Sequence, residues 1–419
     1  MTTQSDTIMA ARPSRSFSAG LPAAGLTPEF LLTAACCRWP PSQARTDSIR
    51  AAAADIVDWE PFLRQVRRQR VAGLANAALA AAGIELPPPI AAVLSRQARR
   101  IVRTNLDFAF ETLRLQRALE AEGIAALALK GVGLALLAYG SLDLKQARDM
   151  DFLIPPECAE AALRLLEGEG YVIWSPAQNL SPRQRRSLIR FAKEAELFHP
   201  GRQLHLELHW HAANNPLLLQ GVEARSAAQS VDLSGRGAIR ILAPGDQFAY
   251  LCVHGARHAW SRLKWLADVN ALLATTAPDI GALYRHAQRA GAGLCAGQTL
   301  LLCRQLLALR LPPDLADEIS ANKRVRTLVG IGLRAMTAPH TETEVDGGVA
   351  GVARSVYTQF LLGQGLPFYA AQLRAASVTP VDVVLVPLPP FLHFLYPLLR
   401  LPLWVWRRAA GAFRARNGS

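Results

Sequence analysis

Apolar residues recur at three- and four-residue spacing from residue 27 to 119, in a stretch dominated by Ala, Leu and Arg, and that period predicts amphipathic helices. Leu86-Pro87-Pro88-Pro89 breaks the run into two. The second helical stretch, roughly 90–122, is long and stops at Gly123, a residue suited to closing a helix. The pattern then shortens. Residues 124–129 form an apolar run bounded by Gly123 and Lys130-Gly131, as a buried strand does, and 132–139 reads as a short helix. Residues 149–154 alternate acidic and apolar positions and stop at Pro155-Pro156, which predicts a strand. An amphipathic helix over 157–167 and a short strand over 171–174 follow. Two strands over 195–199 and 203–211 then flank Pro200-Gly201 as a hairpin. Helical spacing returns at 244–260, 262–273, 280–290 and 294–309, with no fixed-period repeat. The polar, glycine-bearing stretch 341–352 reads as an exposed loop.

These elements predict an α+β protein: a small mixed sheet flanked by N- and C-terminal helical regions. The expected divisions are a disordered tail (1–26), an N-terminal helical region (27–120), the α/β core (121–215) and a helical domain (216–340). A C-terminal helical and irregular segment (341–419) packs back on the core. Composition agrees, since 51% hydrophobic and 19% charged residues over 419 positions describe folded cores. The first twenty residues lack the apolar centre of a signal peptide. The most hydrophobic stretch, 381–406, is interrupted by Pro387, Pro389, Pro390, Pro397 and Pro402 and carries His393 and Arg400, so no membrane span is expected. Its Trp404 and Trp406, beside Arg407 and Arg408, suit a membrane surface or an RNA, and more simply a segment folded back on the core.

Charge and cysteine usage add less. The net charge of +13 is scattered and almost all Arg, and no ordered basic and aromatic array marks a nucleic-acid groove. The only lysines are Lys130, Lys145, Lys193, Lys264 and Lys323. Six cysteines form no C-x-x-C pair, which fits a reducing, cytoplasmic compartment.

The chemistry concentrates in the α/β core. Asp149 and Asp151 stand two apart on a predicted strand and therefore share a face. Two carboxylates so placed repel unless a cation or proton lies between them, and Mg²⁺ takes one or two carboxylates plus substrate phosphates. D-x-D alone is common at solvated strand ends, so its weight comes from its neighbours. Lys130-Gly131-Val132-Gly133 joins a strand to a helix, where glycine lets a phosphate approach the backbone and the helix N-terminus favours an anion. Arg148 suits the acids or a phosphate. His205, Glu207, His209 and His211 alternate along a later strand. If that strand lies beside 149–154, Glu207 completes a three-carboxylate cluster of the kind two-metal phosphoryl transfer uses. The same face could hold Zn²⁺ or Fe²⁺ through His205, Glu207 and His209. His254 and His258, four apart on a predicted helix, suit packing or the border of a nucleotide pocket. Asp268 is spaced to pair with Lys264.

Leu129-Lys130-Gly131, Tyr139, Arg148-Asp149-Met150-Asp151-Phe152-Leu153-Ile154 and Leu206-Glu207-Leu208-His209-Trp210 follow one another along the chain. In that order they resemble the uncharacterised bacterial nucleotidyltransferase family of the DNA polymerase β superfamily. The lysine-glycine, arginine, D-x-D order is also similar to the nucleotidyltransferase toxins of abortive-infection systems. His254-Gly255-Ala256-Arg257-His258-Ala259-Trp260, Lys264-Trp265-Leu266 and Asp268 match a further family segment, as do Asp58-Trp59 and the stretch from Leu388-Pro389 to Arg400. The resemblance implies a polymerase-β-like core and metal binding by Asp149 and Asp151. It puts Glu207 at the third acid and Gly131 where the superfamily's glycine meets the triphosphate. Two departures stand out. The superfamily's Gly-Ser is replaced by Lys130-Gly131-Val132, leaving Lys130 in place of a hydroxyl, and the gap from Gly131 to Asp149 is long.

The expected activity is therefore transfer of a nucleoside monophosphate from an NTP, with ATP favoured, releasing pyrophosphate and using Mg²⁺ or Mn²⁺. Asp149, Asp151 and Glu207 are the catalytic and metal-binding candidates, and Lys130, Gly131 and Arg148 the nucleotide-binding ones. His209, His254, Lys264 and Asp268 are expected around the pocket. No residue selects the acceptor among small molecules, sugars, peptides and tRNA. Three alternatives stay open: a catalytically degenerate nucleotide-binding or scaffolding member, a toxin-like tRNA modifier, and a zinc or iron enzyme.

Overall fold

In the computed structural model, described for residues 26–276, 279–338, 349–400 and 402–406, helices open where capping side chains stand. The N-terminal stretch forms α1 (Pro28–Cys36), α2 (Gln43–Ala54), α3 (Trp59–Gln69), α4 (Ala72–Ala81) and α5 (Pro88–Ala121). Thr27, Ser42 and Asp58 each accept a hydrogen bond from a first-turn backbone N–H of α1, α2 and α3, which satisfies donors the helix cannot. Of the expected tail, residues 1–25 lie outside the described residues.

The core elements follow in the expected order, with β1 and β2 shorter than expected: β1 (Leu127–Ala128), α6 (Gly131–Tyr139), β2 (Met150–Leu153), α7 (Ala159–Gly168) and β3 (Val172–Ser175). Next come α8 (Pro182–Phe191), which the periodicity did not announce, and the hairpin strands β4 (Glu194–His199) and β5 (Leu204–His209). The sheet does not end there. β6 (Ala228–Asp232) and β7 (Ala238–Leu242) lie in the stretch read as helical from 216. β6 is Ala-Gln-Ser-Val-Asp, too polar to announce itself, and it survives as an edge strand paired antiparallel to β7. The strand order is β3-β4-β5-β2-β1-β7-β6. β5 and β2 run parallel, as do β1 and β7, and the other neighbours are antiparallel.

After the sheet come α9 (Pro244–Arg257), α10 (Leu263–Thr276), α11 (Ile280–Arg289), α12 (Gly293–Leu307), α13 (Pro313–Ala321) and α14 (Lys323–Thr337). α15 (Val349–Phe360), α16 (Leu366–Ser377) and α17 (Pro380–Leu385) follow, then a 3₁₀ turn at Pro390–Leu395. The expected loop over 341–352 lies outside the described residues up to 348, and from Val349 it is helix.

The sheet has a core on each face. Leu127, Leu129 and Leu153 pack into one that includes the N-terminal helices, α9 to α14, Leu362 and Phe368. Ala128, Phe152, Leu206, Leu208 and Ile239 face the other, shared with α7, α8, the second half of α5, and Val383, Val384 and Tyr396. The period-two alternation of side chains produces this division. It puts Asp151 and Glu207 on the Leu153 side, facing α9.

Candidate metal and nucleotide site

Strand register builds the site. Asp151 on β2 stands directly opposite Glu207 on β5, and Glu207 stands opposite Glu196 on β4. Three carboxylates thus form a row across three adjacent strands, and like charges directly opposite one another destabilise a sheet unless a cation intervenes. One step along, His209 on β5 opposes Glu194 on β4. The expected His205–His211 face is only partly realised. β5 ends at His209. His211 lies beyond it, in a second cavity, while His205 lines the same cleft as Glu207 and His209 from an exposed position, with its ring against Phe198.

A lysine holds this row together. The Lys130 Nζ lies 2.7 Å from Asp151 Oδ1, 3.3 Å from Asp149 Oδ1 and 3.8 Å from Glu207 Oε2. Burial alone would discharge this ammonium, but Asp149, Asp151 and Glu207 outweigh burial and hold it charged, well above the ordinary lysine range. Burial lifts the Asp151 carboxyl to about 7 against the pull of Lys130. Burial also works on Glu207, yet Lys130 and His209 keep its carboxyl well below the usual range. His209 Nε2 is 3.4 Å from both Asp151 Oδ1 and Glu207 Oε2, and Nδ1 is 2.7 Å from Glu194 Oε2. Burial and Lys193 press the imidazolium towards neutrality, but Glu194 and Asp151 prevail and raise its pKa to about 10. Lys193, itself pushed down by burial, pairs with Glu194.

These residues fit a divalent cation. Both carboxylate oxygens of Asp151 and Nε2 of His209 are buried and lack a well-formed hydrogen bond, their polar contacts being the Lys130 ion pair and the 3.4 Å approaches among themselves, so they have capacity left for a ligand. Asp151, Glu207 and His209 each offer a ligand atom, and these atoms lie within 4.8 Å of one another. Asp149, half-buried at the rim just before β2, is held beside them by Lys130 and is not one of the three.

Opposite the acids runs a basic and aromatic wall. The cleft of about 460 Å³ between them is bounded by Tyr250, His254 and Arg257 of α9, by Lys264 and Trp265 of α10, and by Arg70 at the end of α3. Tyr250, His254 and Arg257 are four and three apart, hence on one helical face. Burial lowers the Lys264 pKa to about 7, with Lys145 adding to the effect, and burial makes His254 neutral. Arg148, exposed, lines the same cleft. The α6 N-terminus opens beside Asp149. Gly131 has φ +68°, and a Cβ there would meet the Asp149 carbonyl oxygen at 3.3 Å.

Lys130, Arg148, Asp149, Glu207, His209, His254 and Lys264 therefore line one cleft, with Asp151 beneath it and Gly131 in the adjoining turn. Asp268 lines the adjoining pocket with Lys130, Arg148, Asp149 and Lys264, but its expected partner is not the one it has. It does not pair with Lys264: it is buried, bound to Lys145 at 2.8 Å, and accepts a hydrogen bond from the Tyr139 hydroxyl at 3.1 Å. The helical spacing suggested Lys264, but the loop before β2 delivers Lys145 to the opposite side. Sequence reasoning missed Glu194, Glu196, Lys193, Tyr250 and Arg70. Lys193 carried a signal, being one of five lysines, while the two glutamates become visible only once the hairpin register is known.

Residues 55–308, more than half of the chain, match the profile of a family described as an uncharacterised nucleotidyltransferase. The chain belongs to that family, and it is accordingly a transferase of nucleotides. No curated protein and no solved structure matches it.

Proposed function

We propose that the cleft transfers a nucleoside monophosphate from a nucleoside triphosphate to an acceptor hydroxyl, with a divalent cation, Mg²⁺ or Mn²⁺, held by Asp151 and Glu207 with Asp149. The observation that carries this reading is the buried Asp151, aligned in register with Glu207, clustered with His209 and facing a basic wall. When bound, the cation neutralises the acids and draws charge from the triphosphate and the acceptor oxygen.

The remaining roles fall to the chain. Lys130, the Gly131 turn at the α6 N-terminus and Arg148 hold phosphate oxygens. Glu207, half open to the cleft, takes the acceptor's proton. The acceptor oxygen bonds to the α-phosphorus, the bond from that phosphorus to the bridging oxygen breaks, and its electron pair leaves on pyrophosphate. Lys264 and Arg257, on the wall opposite the acids, would complement the negative charge of a polyphosphate.

The test is the Asp149→Asn/Asp151→Asn protein. It should keep its circular dichroism spectrum and lose metal-dependent NTP binding, and unchanged binding would sink the proposal. The imidazole of His209 beside two carboxylates also supports a zinc or iron reading. Metal analysis separates the two, because tightly held stoichiometric zinc counts against a Mg²⁺ site. Labelled NTPs incubated with cell extract would then reveal the acceptor class.

A further inference from the structure

We propose that the segment 385–406 is a docking surface for an anionic lipid bilayer. Among the described residues seventeen large apolar side chains are exposed, and ten of them lie between Val356 and Trp406. Leu385, Phe391, Phe394, Leu398, Val405 and Trp406 carry the surface, with Phe391 74% and Leu398 71% exposed. Their exposure is built in, because the other side of the segment is anchored. Tyr396 is buried in the core with Val383 and Val384; its hydroxyl donates to the Val386 carbonyl and accepts from the Leu388 N–H, each at 3.0 Å. Arg400 reaches the buried Asp382 at 3.1 Å. Phe391, Phe394 and Leu398, three and four apart on successive helical turns, are thereby held outward together. Apolar area presented in this way marks an interaction surface.

Charge selects the occupant. No acidic residue occurs from 385 to 406, and the sequence 407–419 adds four arginines and again no acid. A second copy of a chain carrying +13 would be repelled, whereas an anionic headgroup layer attracts it. Exposed Leu and Phe between aromatic and basic positions suit the boundary of headgroups and acyl chains better than an RNA backbone. No helix among the described residues is long and apolar enough to cross a membrane, so the contact is one that lies on the surface.

The full-length protein should co-sediment with vesicles of phosphatidylcholine plus phosphatidylglycerol, and much less with phosphatidylcholine alone. Phe391→Ser/Phe394→Ser/Leu398→Ser should lower that partition by about tenfold or more while leaving circular dichroism and NTP binding unchanged. The proposal is overturned if the wild type stays in the supernatant with anionic vesicles. It is overturned equally if it pellets as well with neutral ones, or if the triple variant pellets like the wild type. A wild-type dimer or an RNA complex abolished by the triple substitution, without vesicle binding, would reassign the surface and also overturn it.

Discussion

Four of the five lysines in an arginine-dominated chain, Lys130, Lys145, Lys193 and Lys264, meet around one site. A compact ammonium on a flexible stem can enter an acid cluster and leave it again, which a planar guanidinium does less readily. Lys130 occupies the midst of the carboxylates. Lys130→Met should therefore strand Asp151 and Glu207 beside each other and cost about 3–5 kcal/mol of stability at neutral pH. Added Mg²⁺ should raise its melting temperature more than that of the wild type, and an equal rise in both would count against the cation site. Lys264 predicts a pH effect of definite sign. Its folded pKa, about 7, lies below the ordinary 10.5, so between these values the unfolded chain binds the extra proton and stability rises with pH. Lys264→Met removes a penalty that is full below pH 7 and gone above 10.5. The gain in melting temperature should accordingly be larger near neutrality than in alkali, and a pH-independent gain would refute the assignment.

At the scale of elements, the strand-to-helix turn and the helix-to-helix turn position the two walls of the cleft. Gly131 is in the left-handed region, which a side chain adopts only with strain. Gly131→Ala should cost about 1 kcal/mol of stability and weaken NTP binding, because its Cβ presses on the Asp149 carbonyl next to the acids. Denaturant melts and titration with NTP separate the two effects, and unaltered NTP affinity would remove Gly131 from the phosphate grip. On the other wall, Gly255 lies flat beneath the Trp260 ring, where a Cβ would meet the indole at 2.3 Å. That contact lets the chain turn sharply through Ala259 and Trp260 and bring His258 onto Trp265, ring centroids 5.0 Å apart. The motif from His254 to Trp260 was legible as a family segment, and its physical content is this turn.

At the scale of the molecule, the N-terminal helices are a wall of the site and not an appendage. Gln69, fully buried at the end of α3, donates to the Met336 carbonyl at 2.9 Å and accepts from the Leu263 N–H at 2.6 Å. Arg262 also donates to the Arg68 carbonyl at 2.6 Å. These bonds tie α3 to α10 and α14, and they hold the neighbouring Arg70 over the cleft. Gln69→Ala should leave the buried Leu263 N–H unpaired, with the Met336 carbonyl still held by Arg68, at a cost of about 1–3 kcal/mol, and weaken NTP binding several-fold through the loosened Arg70. A destabilised variant with full NTP affinity would show that Arg70 plays no part in binding.

The local signals were short-range and therefore legible in the chain: helical period, the Lys130-Gly131 turn, D-x-D on a strand, and the alternation around Glu207. Each depends on neighbours within a few residues, and their order was enough to indicate a nucleotidyltransferase and to nominate Asp149, Asp151 and Glu207 as candidate acids. Tertiary structure decided what depends on partners far away in sequence. The parallel pairing of β2 with β5 put Asp151 opposite Glu207, and the hairpin register added Glu196 and Glu194. A distant loop gave Asp268 its lysine, and docking of α3 gave the cleft Arg70. Strand register and ion pairing are set by burial and charge summed over the whole fold, so no local pattern could specify them. Asp151 was visible from the start as one of two acids. That it is the buried one, opposite Glu207 and ion-paired with Lys130, became evident only when the sheet closed around it.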